Sequence, residues 1–115
     1  MHTTALLADV RTNSPDPPCP IDRFPYIVNV CGRSGFNSDL NGDYHLLPKL
    51  HRGRPCYKKL NSTWCIRWNS GKHEWMIDCD GLKDDDIACA RVKQEVAHPA
   101  LVTNAWRVYN NPRNQ

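Results

Sequence analysis

The sequence predicts an all-β domain, a small antiparallel meander or partly open barrel of about seven short strands with an extended N-terminal arm. Two observations support this fold class. Between positions 41 and 109 the large aromatic residues fall into short strand-like runs bounded by glycine, proline or asparagine. Turn-forming residues recur about every ten positions, and no helical period of useful length appears between them.

The length and the composition divide the chain into one domain and two flanking segments. A chain of 115 residues can bury a single modest core. Residues 1–25 are rich in proline, so we expect an extended, polyproline-like arm there. Residues 26–110 form the β-rich module, and residues 111–115 are a C-terminal tail.

The first strands are predicted from β-branched residues and turn signals. Residues 26–31 are rich in β-branched side chains and end at Gly32. A loop leads to the Asn41-Gly42 dipeptide, which suits a tight turn. The next strand covers residues 43–47, and Pro48 is expected to stop it. Residues 55–60 form the following strand.

The clearest hairpin joins residues 64–68 to residues 75–79 through the loop 69–72. In both strands large apolar residues alternate with smaller or polar ones, which places each Trp-Ile set on one face. We therefore expect the tryptophans to lie mainly in the core. An acidic loop follows at residues 80–86, and two further strands are predicted at 87–92 and 105–109.

Charge and hydropathy exclude some classes of partner. Lys and Arg number 15 against 12 Asp and Glu, so the net charge is only +3. This balance is too even to favour nucleic acid or an anionic membrane as the main partner. No apolar run approaches the roughly 20 residues that span a bilayer, so no transmembrane segment is expected. The short N-terminal apolar stretch is broken by Asp9, so an intracellular location, cytoplasmic or organellar, is favoured over secretion.

The six cysteines leave the redox state open. Six cysteines allow 15 pairings, and the sequence alone does not choose among them. Because no signal peptide is evident, thiols in a reducing compartment are favoured. Asn61-Ser62-Thr63 is an N-glycosylation sequon, which together with the cysteines would fit a secreted, disulfide-stabilised domain.

Several motifs occur in an order that resembles a known module. The motifs are Asn-Gly-x-Tyr at 41–44, Gly-Arg-Pro-x-Tyr at 53–57, Trp-x-Ile at 75–77 and Trp-x-Val at 106–108. They are similar to a compact β-rich module found singly or in tandem in many algal and protist proteins. Arg52 stands where that module usually has asparagine. Because the module has no established catalytic activity, the resemblance implies a binding or structural role and transfers no catalytic residue.

Residue spacing argues against metal, cofactor and catalytic sites. No Cys-x-x-Cys pair is present, and zinc sites usually contain one closely spaced pair. Aligning Gly81 with the glycine of a calcium loop puts Met76 at the first ligand position, which should be acidic. Cys56 lies near basic residues that favour a thiolate, but strand cysteines are usually packing residues. We therefore expect no catalytic residue, no metal and no cofactor.

Two charged segments are the candidate contacts with a partner. The predicted function is a non-catalytic protein-interaction module, an accessory or structural subunit of a larger assembly. A carbohydrate- or small-ligand-binding domain that is secreted or luminal is one alternative, and a nucleic-acid-contacting subunit that uses residues 49–59 is another. The sequence identifies neither the partner nor a ligand pocket. The candidate contact residues are Arg52, Arg54, Lys58, Lys59, Asp84, Asp85 and Asp86.

Overall fold

A computed structural model describes residues 23–110 and the backbone of residues 5–9. The predicted all-β class is confirmed, since residues 23–110 form seven antiparallel strands in a curled half-barrel sheet. Most of the predicted arm and the tail at 111–115 lie outside the described residues. Within those residues, no helix is long and apolar enough to cross a membrane.

Each strand of the sheet pairs with the next strand along the chain. The order is therefore a simple antiparallel meander from the first strand to the last. Short 3-10 helices at Ser38–Leu40 and Pro99–Leu101 lie in the connections. The strands are β1 (Ala5–Asp9), β2 (Ile27–Cys31), β3 (Gly42–His51), β4 (Arg54–Lys58), β5 (Cys65–Asn69), β6 (Glu74–Asp78), β7 (Ala90–Lys93) and β8 (Arg107–Val108).

The module begins slightly before the first of its seven strands. The Tyr57 hydroxyl donates a hydrogen bond of 2.8 Å to the carbonyl oxygen of Pro25, which is itself buried. The Phe24 ring lies edge-on to His98, with 5.8 Å between the ring centroids. These contacts attach residues 24 and 25 to the β-rich module.

Strand β3 is longer than the sequence indicates. Pro48 was expected to end it, but β3 continues to His51. The pairing with β4 shifts register between Leu46 and Leu50, and Pro48 lies inside that irregularity. Proline has no N–H for the ladder, so it is tolerated where regular pairing is interrupted. The expectation that Pro48 stops the strand was wrong.

One face of the sheet carries the hydrophobic core. Trp68, Trp75 and Trp106 are at most 3% exposed, and Trp64 packs against them half-buried. The prediction that the tryptophans belong to the core is confirmed. The other buried apolar residues of this cluster are Val28, Val30, Leu40, Tyr44, Tyr57, Ile66, Ile77, Ala90, Val92 and Val108.

The opposite face is also buried in the centre of the sheet. All five residues of β5 are buried, although alternate ones point away from the core. Arg67 and Asp78 have fully buried side chains on this second face. Residues 85–87 supply hydrogen-bond acceptors to it, so this part of the acidic loop folds back on the sheet.

Candidate functional site

The basic segment 49–59 is largely engaged within the molecule. Arg52 lies at the tip of the β3–β4 hairpin and donates from Nε to Asp84 Oδ1 at 2.9 Å. The guanidinium of Arg54 lies over the Trp68 ring, 4.2 Å from its centroid, and donates to the Val96 carbonyl at 2.7 Å. These contacts hold both arginine side chains against the module itself.

The two lysines of the candidate set differ in exposure. The Lys59 ammonium donates to the carbonyl oxygens of Asp39 and Asn41, at 2.6 and 3.0 Å. Lys58 is exposed at the end of β4. Of the four candidate basic residues, Arg52 and Lys58 are exposed, and Arg52 also bonds to Asp84.

The three aspartates of the acidic loop also have partners within the chain. Asp84 pairs with Arg52, and Asp85 Oδ1 accepts from Arg67 Nη2 at 3.1 Å. Asp86 Oδ1 accepts from the Asn69 amide at 2.9 Å. The basic and acidic segments, which the sequence offered as separate contact surfaces, therefore meet at the Arg52–Asp84 ion pair. Contact of either segment with another protein stays a prediction.

Arg67 organises the second face of the sheet. Besides the carboxylate of Asp85, it donates to the backbone oxygens of Asp85 and Ile87 at 3.0 and 2.9 Å. Its Nη2 atom lies 3.7 Å from Asp78 Oδ2. A buried charge is costly unless it is paired and hydrogen-bonded, so the burial of Arg67 depends on the acceptors that the loop supplies to its two terminal nitrogens.

A basic cleft lies beside this loop, on the same face of β6, β7 and β8. The register pairs Glu74 with Lys93 and Arg91 with Arg107, and residues paired across antiparallel strands project to the same side. Two adjoining cavities of about 280 and 490 Å³ share these four residues in their walls. The larger cavity also reaches Lys72 and Tyr109, and we call the two together the basic cleft.

The basic cleft has a clear excess of positive charge. Four cations, Lys72, Arg91, Lys93 and Arg107, face one carboxylate, Glu74, which gives a net charge of +3 for its walls. Arg91 Nη1 donates to Glu74 Oε1 at 3.1 Å, so these two charges offset each other. Lys72, Lys93 and Arg107 are exposed, and the Lys72 ammonium lies 3.9 Å from Asp86 Oδ2 at the edge of the cleft. Such an arrangement can attract and hold an anionic group.

Sequence reasoning missed this cleft because its residues come from three strands. The alternation of Arg91 and Arg107 with apolar neighbours does indicate that each points away from the core. What brings them together with Lys93 is the pairing register of β6, β7 and β8. The register is a property of the folded sheet that no single segment encodes.

Burial suppresses the reactivity of the cysteines inside the module. Burial raises the pKa of Cys65 and of Cys89 to about 12, and it raises the pKa of Cys56 against the opposing effect of Lys49. The Cys56 thiol donates to the Lys49 carbonyl at 3.4 Å. Because the thiolate is the reactive form, this environment does not activate Cys56 as a nucleophile.

Among the described residues, one group of side chains has metal-ligating atoms close together. Asp78, Cys79 and Cys89 each place one ligand atom within 4.8 Å of the others. Sulfur and carboxylate ligands of this kind suit zinc. However, Asp78 already accepts from the Cys79 backbone N–H at 2.8 Å and lies beside the Arg67 cation, which would repel a metal ion.

Comparison of this chain with protein-family models, with curated proteins and with solved structures finds no match.

Proposed function

We propose that this protein is a non-catalytic protein-interaction module, an accessory subunit of a larger assembly, which binds an acidic segment of its partner in the basic cleft. The observation that supports the proposal is the set of three exposed cations, Lys72, Lys93 and Arg107, around a surface with one carboxylate in its walls; Lys72 also pairs with Asp86 beside the cleft. Complementary charge speeds association and selects the partner.

The position of the basic cleft beside the last strand of the sheet suits a chain segment as the occupant. Its walls are side chains from neighbouring strands, and β8 is the last strand in the sheet order. An extended acidic peptide could therefore lie along β8 and place carboxylates near Lys93 and Arg107. Arg91 is only 8% exposed and bonded to Glu74, so it serves mainly to hold the wall in place.

The two alternative functions have less support from the geometry. A carbohydrate-binding groove usually presents exposed aromatic rings, but three of the four tryptophans are at most 3% exposed. In the segment 49–59, Arg52, Arg54 and Lys59 bond to Asp84, Val96, Asp39 and Asn41, so nucleic-acid contact there would depend mainly on the exposed Lys49 and Lys58. The protein-interaction proposal uses cations that are exposed.

The proposal is tested by titrating the protein with a fluorescently labelled glutamate-rich peptide and measuring anisotropy. The double variant Lys93→Glu/Arg107→Glu should weaken binding on the order of tenfold or more, since each reversal replaces an attraction by a repulsion. The matched control Lys49→Glu/Lys58→Glu makes the same change of net charge on strands β3 and β4. It should lose much less affinity.

A second arm of the same titration separates the partner classes. A single-stranded oligonucleotide with the same number of negative charges should bind more weakly than the peptide and show no dependence on Lys93 and Arg107. If Lys93→Glu/Arg107→Glu and Lys49→Glu/Lys58→Glu lose the same peptide affinity, binding depends only on net charge. That result would contradict the proposed cleft. Tighter binding of the oligonucleotide would favour the nucleic-acid alternative instead.

A further inference from the structure

Two cysteines meet at the base of the loop that covers the second face of the sheet. Cys79 directly follows β6, and Cys89 directly precedes β7. The backbone N–H of Cys89 donates to the Ile77 carbonyl at 2.9 Å, which continues the β6–β7 ladder to this point. The two sulfur atoms lie within 4.8 Å of each other, and the two thiols are within hydrogen-bonding reach.

We propose that Cys79 and Cys89 are a site of reversible disulfide formation that closes the loop 80–88 over the second face. Both residues are thiols in the structure. A disulfide needs its two β-carbons about 3.5–4.5 Å apart. The register places Cys89 opposite Asp78, next to Cys79, and the two sulfur atoms already lie within 4.8 Å of each other. Side-chain rotation with a small closing movement would then be sufficient to form the bond.

The other described cysteines do not offer such a pair. The Cys65 thiol donates to the Gly81 carbonyl at 3.1 Å, and the Cys56 thiol points to the carbonyl of Lys49. Cys31 lies in β2, at the other side of the meander. Among the described cysteines, the geometry therefore favours the pair Cys79 and Cys89.

The chemistry is an exchange with a small-molecule disulfide such as glutathione disulfide. Cys79 is partly exposed, so its thiolate attacks first, forming a mixed disulfide and releasing one glutathione thiolate that takes up the proton. The Cys89 thiolate then attacks the Cys79 sulfur and releases the second glutathione. Two protein thiols are oxidised and one glutathione disulfide is reduced, so atoms and electrons balance.

The order of attack follows from the surroundings of the two thiols. Cys89 is fully buried, and burial, together with the neighbouring Cys79, raises its pKa to about 12. Cys89 therefore reacts mainly with a partner already held beside it, which is the mixed disulfide on Cys79. Oxidation of Cys89 alone by a bulky reagent should be slow.

The disulfide would add a covalent link to a loop that is held on the sheet by hydrogen bonds. Asp85 and Ile87 accept from Arg67, and the Asp86 carbonyl accepts from Arg91 at 2.5 Å. A covalent link between residues 79 and 89 restricts the unfolded chain and keeps these acceptors near their donors. The oxidised protein should melt at a temperature higher by about 10 °C.

The test treats the full chain with glutathione disulfide, alkylates the remaining thiols and measures the intact mass, followed by proteolytic mapping. We expect a loss of two hydrogen atoms and a cross-linked peptide that joins Cys79 to Cys89. Cys79→Ser and Cys89→Ser should abolish the cross-link and the rise in melting temperature. Cys31→Ser should retain both, and Cys79→Ala serves as a second variant if Cys79→Ser folds poorly.

Three outcomes would overturn the proposal. One is a cross-link between a different pair of cysteines, and another is full alkylation of both Cys79 and Cys89 after the treatment. The third is retention of added Zn²⁺ by the reduced protein in native mass spectrometry, lost in Cys79→Ser and Cys89→Ser, together with resistance of the pair to oxidation. That result would assign the cluster with Asp78 to a metal instead.

Discussion

Arg52 shows how one residue can combine a backbone cost with a side-chain contact. It occupies the left-handed region with φ of 52°, and the following Gly53 has φ of 80°. Two successive positive φ values form the tight hairpin turn that suits the right-handed twist of β3 and β4. Asparagine and glycine adopt this conformation most readily, and arginine does so at a cost of about 1 kcal/mol. Arginine at this position of the turn therefore has a physical consequence.

The backbone strain at Arg52 can be measured separately from the energy of its ion pair with Asp84. Both partners are about half exposed, so the pair stabilises the fold by at most about 1 kcal/mol. In an Asp84→Asn background, which removes that attraction, Arg52→Asn should raise the free energy of unfolding by about 0.5–1 kcal/mol. Urea denaturation measures this change. Unchanged or lower stability in that background would show that the turn tolerates arginine without strain.

His98 connects the stability of the fold to pH. Burial lowers its pKa below the ordinary value of 6.5. As pH falls below about 6.5, the unfolded chain binds a proton at His98 that the folded chain binds only at lower pH, so stability decreases through this window. Above that window the side chain is neutral in both states and contributes no pH dependence.

The variant His98→Gln should therefore lose less stability than the wild type between pH 7.5 and pH 5. Thermal unfolding at a series of pH values measures the difference in slope. His51, whose pKa is lowered by burial and by the nearby Arg67 and Arg52, should contribute a similar slope that remains in this variant. Identical slopes in wild type and His98→Gln would contradict the assignment.

At the scale of elements, the loop after β6 and the centre of the sheet form one unit. Arg67 is fully buried between Asp78 in β6 and Asp85 in the loop. Arg67→Met should cost about 3–5 kcal/mol, because it leaves the buried carboxylate of Asp78 without its cation. Urea denaturation of Lys58→Met, an exposed control on β4, should show a change within about 0.5 kcal/mol.

The interaction energy between Arg67 and Asp78 can be measured by combining substitutions at both positions. In the double variant Arg67→Met/Asp78→Asn no fully buried charge is left unpaired, since Asp85 is partly exposed, so the loss of stability should be at least about 1 kcal/mol smaller than the sum of the single losses. Simple additivity would mean that the two side chains, 3.7 Å apart, do not interact energetically.

Local patterns predicted the core face well and the second face poorly. The alternation of Trp64, Ile66 and Trp68 shows which side of β5 is apolar, because side-chain direction alternates along any strand. The same alternation marks Arg67 as pointing outward, but it cannot show that a loop returns to cover it. That burial depends on contacts between residues about twenty positions apart, which only the folded chain creates.

The ends of the strands also depend on long-range contacts that the local pattern does not show. The strands predicted at 87–92 and 105–109 shrink to Ala90–Lys93 and Arg107–Val108. The regular strand is lost at Ile87 because Arg67 takes the Ile87 carbonyl as an acceptor, whereas the Cys89 N–H still donates to the Ile77 carbonyl. Side-chain pattern alone does not include this competition for backbone oxygens.

At the scale of the whole molecule, one face of the sheet forms the hydrophobic core and the other face carries the basic cleft. The core face holds the tryptophans, while the second face carries the covered Arg67 and, beside it, the basic cleft. Exposed cations in the cleft are not required for the hydrophobic core, so they can be altered without loss of the fold. Lys93 and Arg107 therefore report on binding separately from stability.

The most direct test is an NMR titration of the ¹⁵N-labelled protein with an unlabelled glutamate-rich peptide. We expect the largest backbone amide shifts at residues 71–74, 91–93 and 105–109, which surround the basic cleft. They should be lost in Lys93→Glu/Arg107→Glu, whose spectrum in the absence of peptide should remain that of a folded protein. Shifts concentrated at residues 49–59, or unchanged shifts in the double variant, would contradict binding in the cleft.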